Sequence, residues 1–195
     1  MTSTNDSRER ILAAAAAVLS EKGYAATRLS DIADRAELRA PAVYYYFASR
    51  EALVAEVMIV GQQWVRRHVT EALAALPHDV TALDRICEAI DAHLRVELEL
   101  SDFATAVTRN AGQLPPDVRQ QVAEVSAEYH AVWRQLFVDG QADGSIRIDL
   151  DHRSARMLII GALNWAPEWW SNTKEPIDAL VKTAQSFVRA GLSAR

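Results

Sequence analysis

A single cysteine, Cys87, stands among the 195 residues, so no disulfide can close within the chain, and no CxxC or Cys/His cluster suggests structural zinc. Cys87 is therefore expected as a small buried hydrophobe. No apolar run is long enough to span a membrane: the longest nearly uncharged stretch, MLIIGALNWAPEWW, is too short and contains Pro167 and Glu168. The opening MTSTNDSRERIL has no apolar leader segment, which points to a cytoplasmic protein. Strand-like alternation flanked by hairpin turns is missing, and the one short extended candidate is SIRID after Gly144. HExxH, a Ser/His/Asp arrangement and a glycine-rich phosphate loop are absent, and His68, His78, His93, His130 and His152 are too dispersed for a metal cluster. An enzyme thus has no motif in its support, and neither cofactor nor metal is expected. An excess of positive charge is lacking too: the net charge is −5. Residues 1–54 nevertheless carry seven basic and seven acidic side chains, so the whole deficit lies beyond them. That balance permits a nucleic-acid partner without indicating one.

What is present is helical periodicity almost everywhere, so the fold class expected is all-α, with about nine helices. The first helix is predicted over 7–22, with Asp6 and Glu9 as a capping box, Ile11, Ala15, Val18 and Leu19 on one face, and Gly23 as its stop. A short helix follows Thr27 with Leu29, Ile32 and Ala33 inward. AELRA breaks the pattern before a third short helix that contains VYYYF. Ser49 caps a long fourth helix with Leu53, Val57, Val60, Trp64 and His68 along one side. Further helices are expected at about 81–99, 102–110, 116–138, 151–171 and 176–191. NAGQLPP and DGQADGSIRID separate them, and Pro116 and Pro176 suit first turns. Pro167 lies inside a helical run and predicts a kink or an end near Asn164.

Two short helices joined by a turn and resting on a preceding helix make a helix-turn-helix, whose second helix enters the major groove of DNA. The text RERILAAAAAVLSEKGYAATRLSDIADRAELRAPAVYYYFASREALVAEV resembles the DNA-binding domain of the tetracycline-repressor (TetR) family of bacterial regulators over about 50 residues. GYAATRLSDIA, the VYYYF block and ASREAL carry the likeness. It implies a DNA-binding domain over 5–52, with a positioning helix at 28–36 and a recognition helix at 40–46, and a ligand-binding and dimerisation domain over 53–195. Thr27 and Arg28 would touch phosphates, and Tyr44 and Tyr45 would face the groove and backbone. Arg50 would clamp the DNA backbone, while Tyr46 and Phe47 would turn into the three-helix core. Two positions depart from the family pattern. Glu37 occupies the usual turn glycine and must tolerate that conformation. Arg39 replaces a small hydroxyl N-cap, which makes it a base or phosphate contact. Ala40, Pro41 and Ala42 offer apolar and shape readout.

The same resemblance implies a homodimer on a roughly palindromic double-stranded DNA operator, paired through the last two long helices, where ARMLIIGALNWAPEWW and IDALVKTAQSFVRAGL present apolar faces and Gly161 and Ala162 permit close approach. It also implies a small hydrophobic inducer enclosed by the middle helices, for which polarity on apolar faces nominates Trp64, Cys87, His93, Phe103, Val107, Arg109, Tyr129, Trp133, Asn164 and Trp165. GALNWAPEWW is similar to a segment of TetR-type repressors of lipid and steroid catabolism that respond to acyl-CoA thioesters, so an acyl-CoA inducer stands beside an unspecified hydrophobic molecule. The function expected is a ligand-responsive, dimeric repressor. Two alternatives stay open: an all-α enzyme, and a ligand-binding module without sequence-specific DNA binding, for which Glu37 is the best argument.

Overall fold

The computed structural model describes residues 4–172 and 174–194, the side chains of 4 and 5 aside. Among them are nine α-helices: α1 Thr4–Ala26, α2 Leu29–Arg35, α3 Ala40–Tyr46, α4 Arg50–Ala74, α5 Ala82–Arg95, α6 Asp102–Asn110, α7 Pro116–Ala142, α8 His152–Trp169 and α9 Ile177–Leu192. The expected all-α class holds, and the helix-turn-helix lies in the N-terminal three helices. Two compact units emerge: residues up to Trp64 together with Ser101–Ser126, and Val65–Leu100 together with the residues from Ala127 onward. That division does not follow the boundary between 52 and 53, because α6 and the start of α7 join the first unit.

In the first unit the apolar face predicted for α1 is the face that is buried: Ile11, Ala15, Val18 and Leu19 meet Ile32 and Ala33 of α2, Val43 of α3, and Leu53, Val54, Val57 and Met58 of α4. Each fully buried aliphatic side chain of this size contributes about 1.5–3 kcal/mol. The exposed pairs Arg35–Glu21 and Lys22–Asp31 contribute about 0–1 kcal/mol each. The apolar face therefore fixes how α1 sits. α6 approaches α4 at Gly61, where an added Cβ would lie 2.3 Å from the Phe103 carbonyl oxygen. Only glycine allows that approach.

The second unit packs Leu83, Ile86, Cys87, Ile90 and Leu94 of α5 with Ile177, Leu180, Val181 and Val188 of α9, and buries Trp133 and Phe137 of α7. The start of α5 is held from several sides: Thr81 Oγ1 accepts from the Asp84 N–H, while Asp143 and Ser145 accept from Ala82 and Leu83 at 2.7 and 3.2 Å.

Four details differ from the sequence expectation. α1 starts earlier, at Thr4, and Gly23 at φ 75° interrupts it where the stop is expected. The helix expected over 81–99 ends as α at Arg95 and widens into a π-turn at Val96–Leu100, which buries Glu97. α7 continues to Ala142 because Gly140 lets the buried Ile146 lie directly against the last turn, 2.3 Å from where a Cβ would stand. Pro167 does not end α8. Only a few residues remain beyond it, so its missing N–H forfeits one intrahelical bond, and Trp170 N–H still reaches the Ala166 oxygen at 2.9 Å. The extended piece in SIRID is real but minimal: Ile146 bridges Ser193, and Arg147 N–H donates to Leu192 O.

Candidate functional site

The turn between α2 and α3 is built by hydrogen bonding around Glu37. Its φ is 56°, making it the one non-glycine in the left-handed region among the described residues. Leu38 N–H donates to Ala33 O at 2.9 Å and Glu37 N–H to Asp34 O at 3.1 Å, the paired bonds of a Schellman ending. Arg10 reinforces it, donating to Ala36 O at 2.5 Å and lying 3.7 Å from the Glu37 carboxylate. The conformation that glycine would adopt freely is thus imposed on a glutamate by its surroundings.

α3 leaves this turn with Arg39 at its N-cap in extended conformation and Pro41 in its first turn. Val43 and, four residues on, Phe47 face the core, with Phe47 only 5% exposed and the Arg8 guanidinium 5.1 Å above its ring. Helical geometry then sends the intervening tyrosines outward: Tyr44 is 58% and Tyr45 78% exposed. Tyr46 is half-buried, edge-on to Tyr45 with ring centres 5.0 Å apart. Arg28 and Arg39, the N-caps of α2 and α3, are exposed, and Ala40 and Ala42 are half-buried.

Two residues expected at phosphates have intramolecular partners. Thr27 is buried, and its hydroxyl donates to Gly23 O at 2.7 Å, so only its backbone could meet a partner. The Arg50 guanidinium donates from Nε to Thr27 O at 3.0 Å and also to Tyr24 O, and stacks 4.1 Å from the centre of the Tyr24 ring. It braces the loop that launches α2. Asn110, fully buried, holds the same loop from α6: its amide donates to Leu19 O at 3.2 Å and Ala106 O at 2.7 Å and accepts from Tyr24 N–H at 2.5 Å. Neither Tyr24 nor Asn110 is visible in the sequence pattern, because their role depends on a contact 86 residues apart.

The ten candidate ligand residues are divided between the two units. Trp64, Phe103, Val107 and Arg109 belong to the first unit. Phe103 and Val107 pack with its core, at Gly61, and Arg109 donates to Ser20 O, so the expectation that these three line a cavity is corrected to core packing and helix bracing. Trp64 is exposed on α4. Four of the ten do gather in the second unit. His93 Nδ1 lies 2.7 Å from the Tyr129 hydroxyl, the two rings stack with centres 5.9 Å apart, and Tyr129 meets Trp133 edge-on. Asn164 lies near enough to favour a protonated His93 without closing an ordinary hydrogen bond to Nε2, and burial outweighs it, holding the imidazole pKa at about 4. Burial also pushes the Tyr129 phenol well above its ordinary value, with the Glu97 charge adding to the shift. Glu97 joins this buried polar group through the π-turn. Cys87 is apart from it, buried against α9 where Gln185 donates to its carbonyl at 2.8 Å, and burial pushes its thiol pKa up. Trp165 is exposed on α8.

An apolar groove of about 300 Å³ opens between α8 and α9, lined by Leu94, Leu158, Ala162, Trp169, Leu180 and Phe187. Leu158 is 74% and Phe187 82% exposed along it. No group of His, Cys, Asp and Glu among the described residues could hold a metal ion, and no helix there is long and apolar enough to cross a membrane.

Residues 11–57 match the family model described as bacterial regulatory proteins, tetR family, and residues 79–192 the one described as tetracyclin repressor-like, C-terminal domain. The chain is 38% identical over 163 residues to the uncharacterised HTH-type transcriptional regulator YdgC of Bacillus subtilis, covering 84% of this chain and 80% of that one. Among solved structures, FadR of Bacillus subtilis in complex with stearoyl-CoA superimposes with a TM-score of 0.79 at 22% identity, over 94% of this chain and 98% of that one. AibR in complex with isovaleryl coenzyme A and operator DNA gives a TM-score of 0.81 at 17% identity, over 93% and 96%.

Proposed function

Because the chain belongs to the tetracycline-repressor (TetR) family of transcriptional regulators, we propose that it is a homodimeric repressor that reads a palindromic operator with α3 and releases it on binding an acyl-CoA thioester. The observation that carries the DNA reading is the outward pair Tyr44 and Tyr45 on a helix whose other face is locked by Val43 and Phe47. Their rings can pack on sugar or a thymine methyl and their hydroxyls can bond phosphate, with Arg28 and Arg39 as flanking cations. The Schellman turn at Glu37 supports DNA binding over a module without it, since the departure from glycine leaves the turn geometry formed.

The exposed apolar faces of α8 and α9 support pairing with a second copy, which would place two recognition helices on successive half-sites. The buried His93, Tyr129, Trp133, Asn164 and Glu97 group supports an effector site in the second unit, because polar atoms such as His93 Nε2 and Trp133 Nε1 are buried there without hydrogen-bond partners. The complexes of FadR with stearoyl-CoA and of AibR with isovaleryl coenzyme A favour a thioester as effector. An effector that prefers a dimer with misaligned recognition helices lowers operator affinity by linkage. The test is a titration of the protein–operator complex with acyl-CoA thioesters of increasing chain length, followed by fluorescence anisotropy. Release by at least one chain length at micromolar concentration is the expected result. Retention of the complex by all of them would leave the effector reading without support.

A further inference from the structure

Several arginines of this acidic chain pair with carboxylates: Arg8 with Glu56, Arg35 with Glu21, Arg66 with Glu128, Arg95 with Asp91 and Asp178, Arg147 with Asp149 and Arg189 with Asp84. A group of arginines in the second unit gathers without such a pair. Where α7 meets the first turns of α8, Arg156 donates to the His130 carbonyl oxygen at 2.8 Å, and the His152 ring packs on Phe137 with centres 5.8 Å apart. Arg134 and Arg153 are close enough to Arg156 that their charges, after burial, depress its pKa, and Arg156 and Arg134 do the same to His130. Among the described residues none of Arg134, Arg153 and Arg156 forms an ion pair within 4 Å of a carboxylate. The neighbouring acid, Asp151, accepts from the Ser154 N–H at 2.7 Å as the cap of α8, and its charge also acts on Arg153 and His152 without an ion pair within 4 Å. Three ring or guanidinium nitrogens in the group, Arg156 Nε, His130 Nδ1 and His152 Nε2, are buried without hydrogen-bond partners.

Buried donors left unpaired cost free energy, and an anion that joined them would recover that cost and offset the repulsion among the neighbouring guanidiniums. The positive end of the long helix α8 points the same way. We propose that His130, Arg134, Arg153 and Arg156 form an anion site that takes a phosphate-bearing group of a small molecule. His130 and Arg134 lie one turn apart on α7 and Arg153 and Arg156 one turn apart on α8, and several guanidiniums at one place suit the charge and oxygens of a pyrophosphate or phosphomonoester better than those of a single carboxylate. This deepens the reading of an acyl-CoA effector and rests on it only for the source of the phosphate: coenzyme A carries a pyrophosphate and a phosphomonoester on its nucleotide, and inorganic pyrophosphate carries the same chemistry without it.

The test is isothermal titration of the full-length protein with inorganic pyrophosphate and, separately, with free coenzyme A, at constant ionic strength. Both are expected to bind and to compete. The double variant Arg134→Gln/Arg153→Gln, which alters two exposed side chains, is expected to weaken each by about tenfold or more, with an unchanged thermal midpoint and solution mass. Pyrophosphate binding without coenzyme A binding upholds the anion site and removes the thioester reading. Coenzyme A binding that the double variant leaves intact upholds the thioester and overturns the site. Absence of binding by either probe overturns it too, as does a double variant that changes the solution mass, which would assign the arginines to acidic groups of a second copy.

Discussion

The Arg50 guanidinium lies 4.1 Å from the centre of the Tyr24 ring and donates to the carbonyls of Tyr24 and Thr27, so the first residue of α4 holds the loop that sets the angle of α2. A cation over an aromatic face and two charge-assisted bonds in a half-buried setting are together worth about 2 kcal/mol. Arg50→Ala is expected to lower stability by about that amount in urea unfolding and to weaken operator binding with it. A loss of binding with full stability retained would instead assign Arg50 directly to a DNA phosphate.

Glu37→Gly removes a side chain from the left-handed region, where an L-residue costs about 1–2 kcal/mol, and returns part of that gain as added freedom of the unfolded chain. A net stabilisation of about 1 kcal/mol is expected from the shift in denaturation midpoint. A destabilisation would mean that the Arg10 contact, 3.7 Å away and exposed, outweighs the backbone.

His93 is buried with a pKa of about 4 against an ordinary 6.5, so the unfolded chain binds the proton more readily than the folded one between those values. The contribution of the neutral ring is complete above pH 6.5 and falls as pH drops toward 4, by roughly 3 kcal/mol in all. Unfolding measured across this window should show that slope in the wild type and a flatter profile in His93→Gln.

Leu158 and Phe187 stand most exposed along the groove between α8 and α9. Leu158→Asp places a charge on that face without touching the core of either unit. Sedimentation is expected to show the wild type as a dimer and the variant shifted to monomer, with helix content unchanged.

The helices and the recognition motif were legible because both are local: apolar spacing in α1, the Ser49 cap of α4 and the VYYYF block each lie within one segment. The division of that block was legible in part. Tyr44 and Tyr45 are out and Phe47 is in as expected, while Tyr46 sits between, since successive helical positions turn by about 100° and no four residues can split cleanly into two faces. What the sequence hid is non-local. Arg50 looks like a surface cation until Tyr24 and Thr27 are brought beneath it, and Phe103 looks like a cavity lining until Gly61 admits α6 onto α4. Glu97 was hidden by the π-turn, which changes the face a helical residue presents.

Tyr44 and Tyr45 are proposed to read DNA. Anisotropy with a duplex from the region upstream of this chain's own gene, against a scrambled duplex at moderate salt, tests it most directly. Preference for the upstream duplex is expected, with affinity that falls steeply as salt rises and a loss of about tenfold or more in Tyr45→Ala at an unchanged thermal midpoint. Equal binding to both duplexes, or an unaffected Tyr45→Ala, would contradict it.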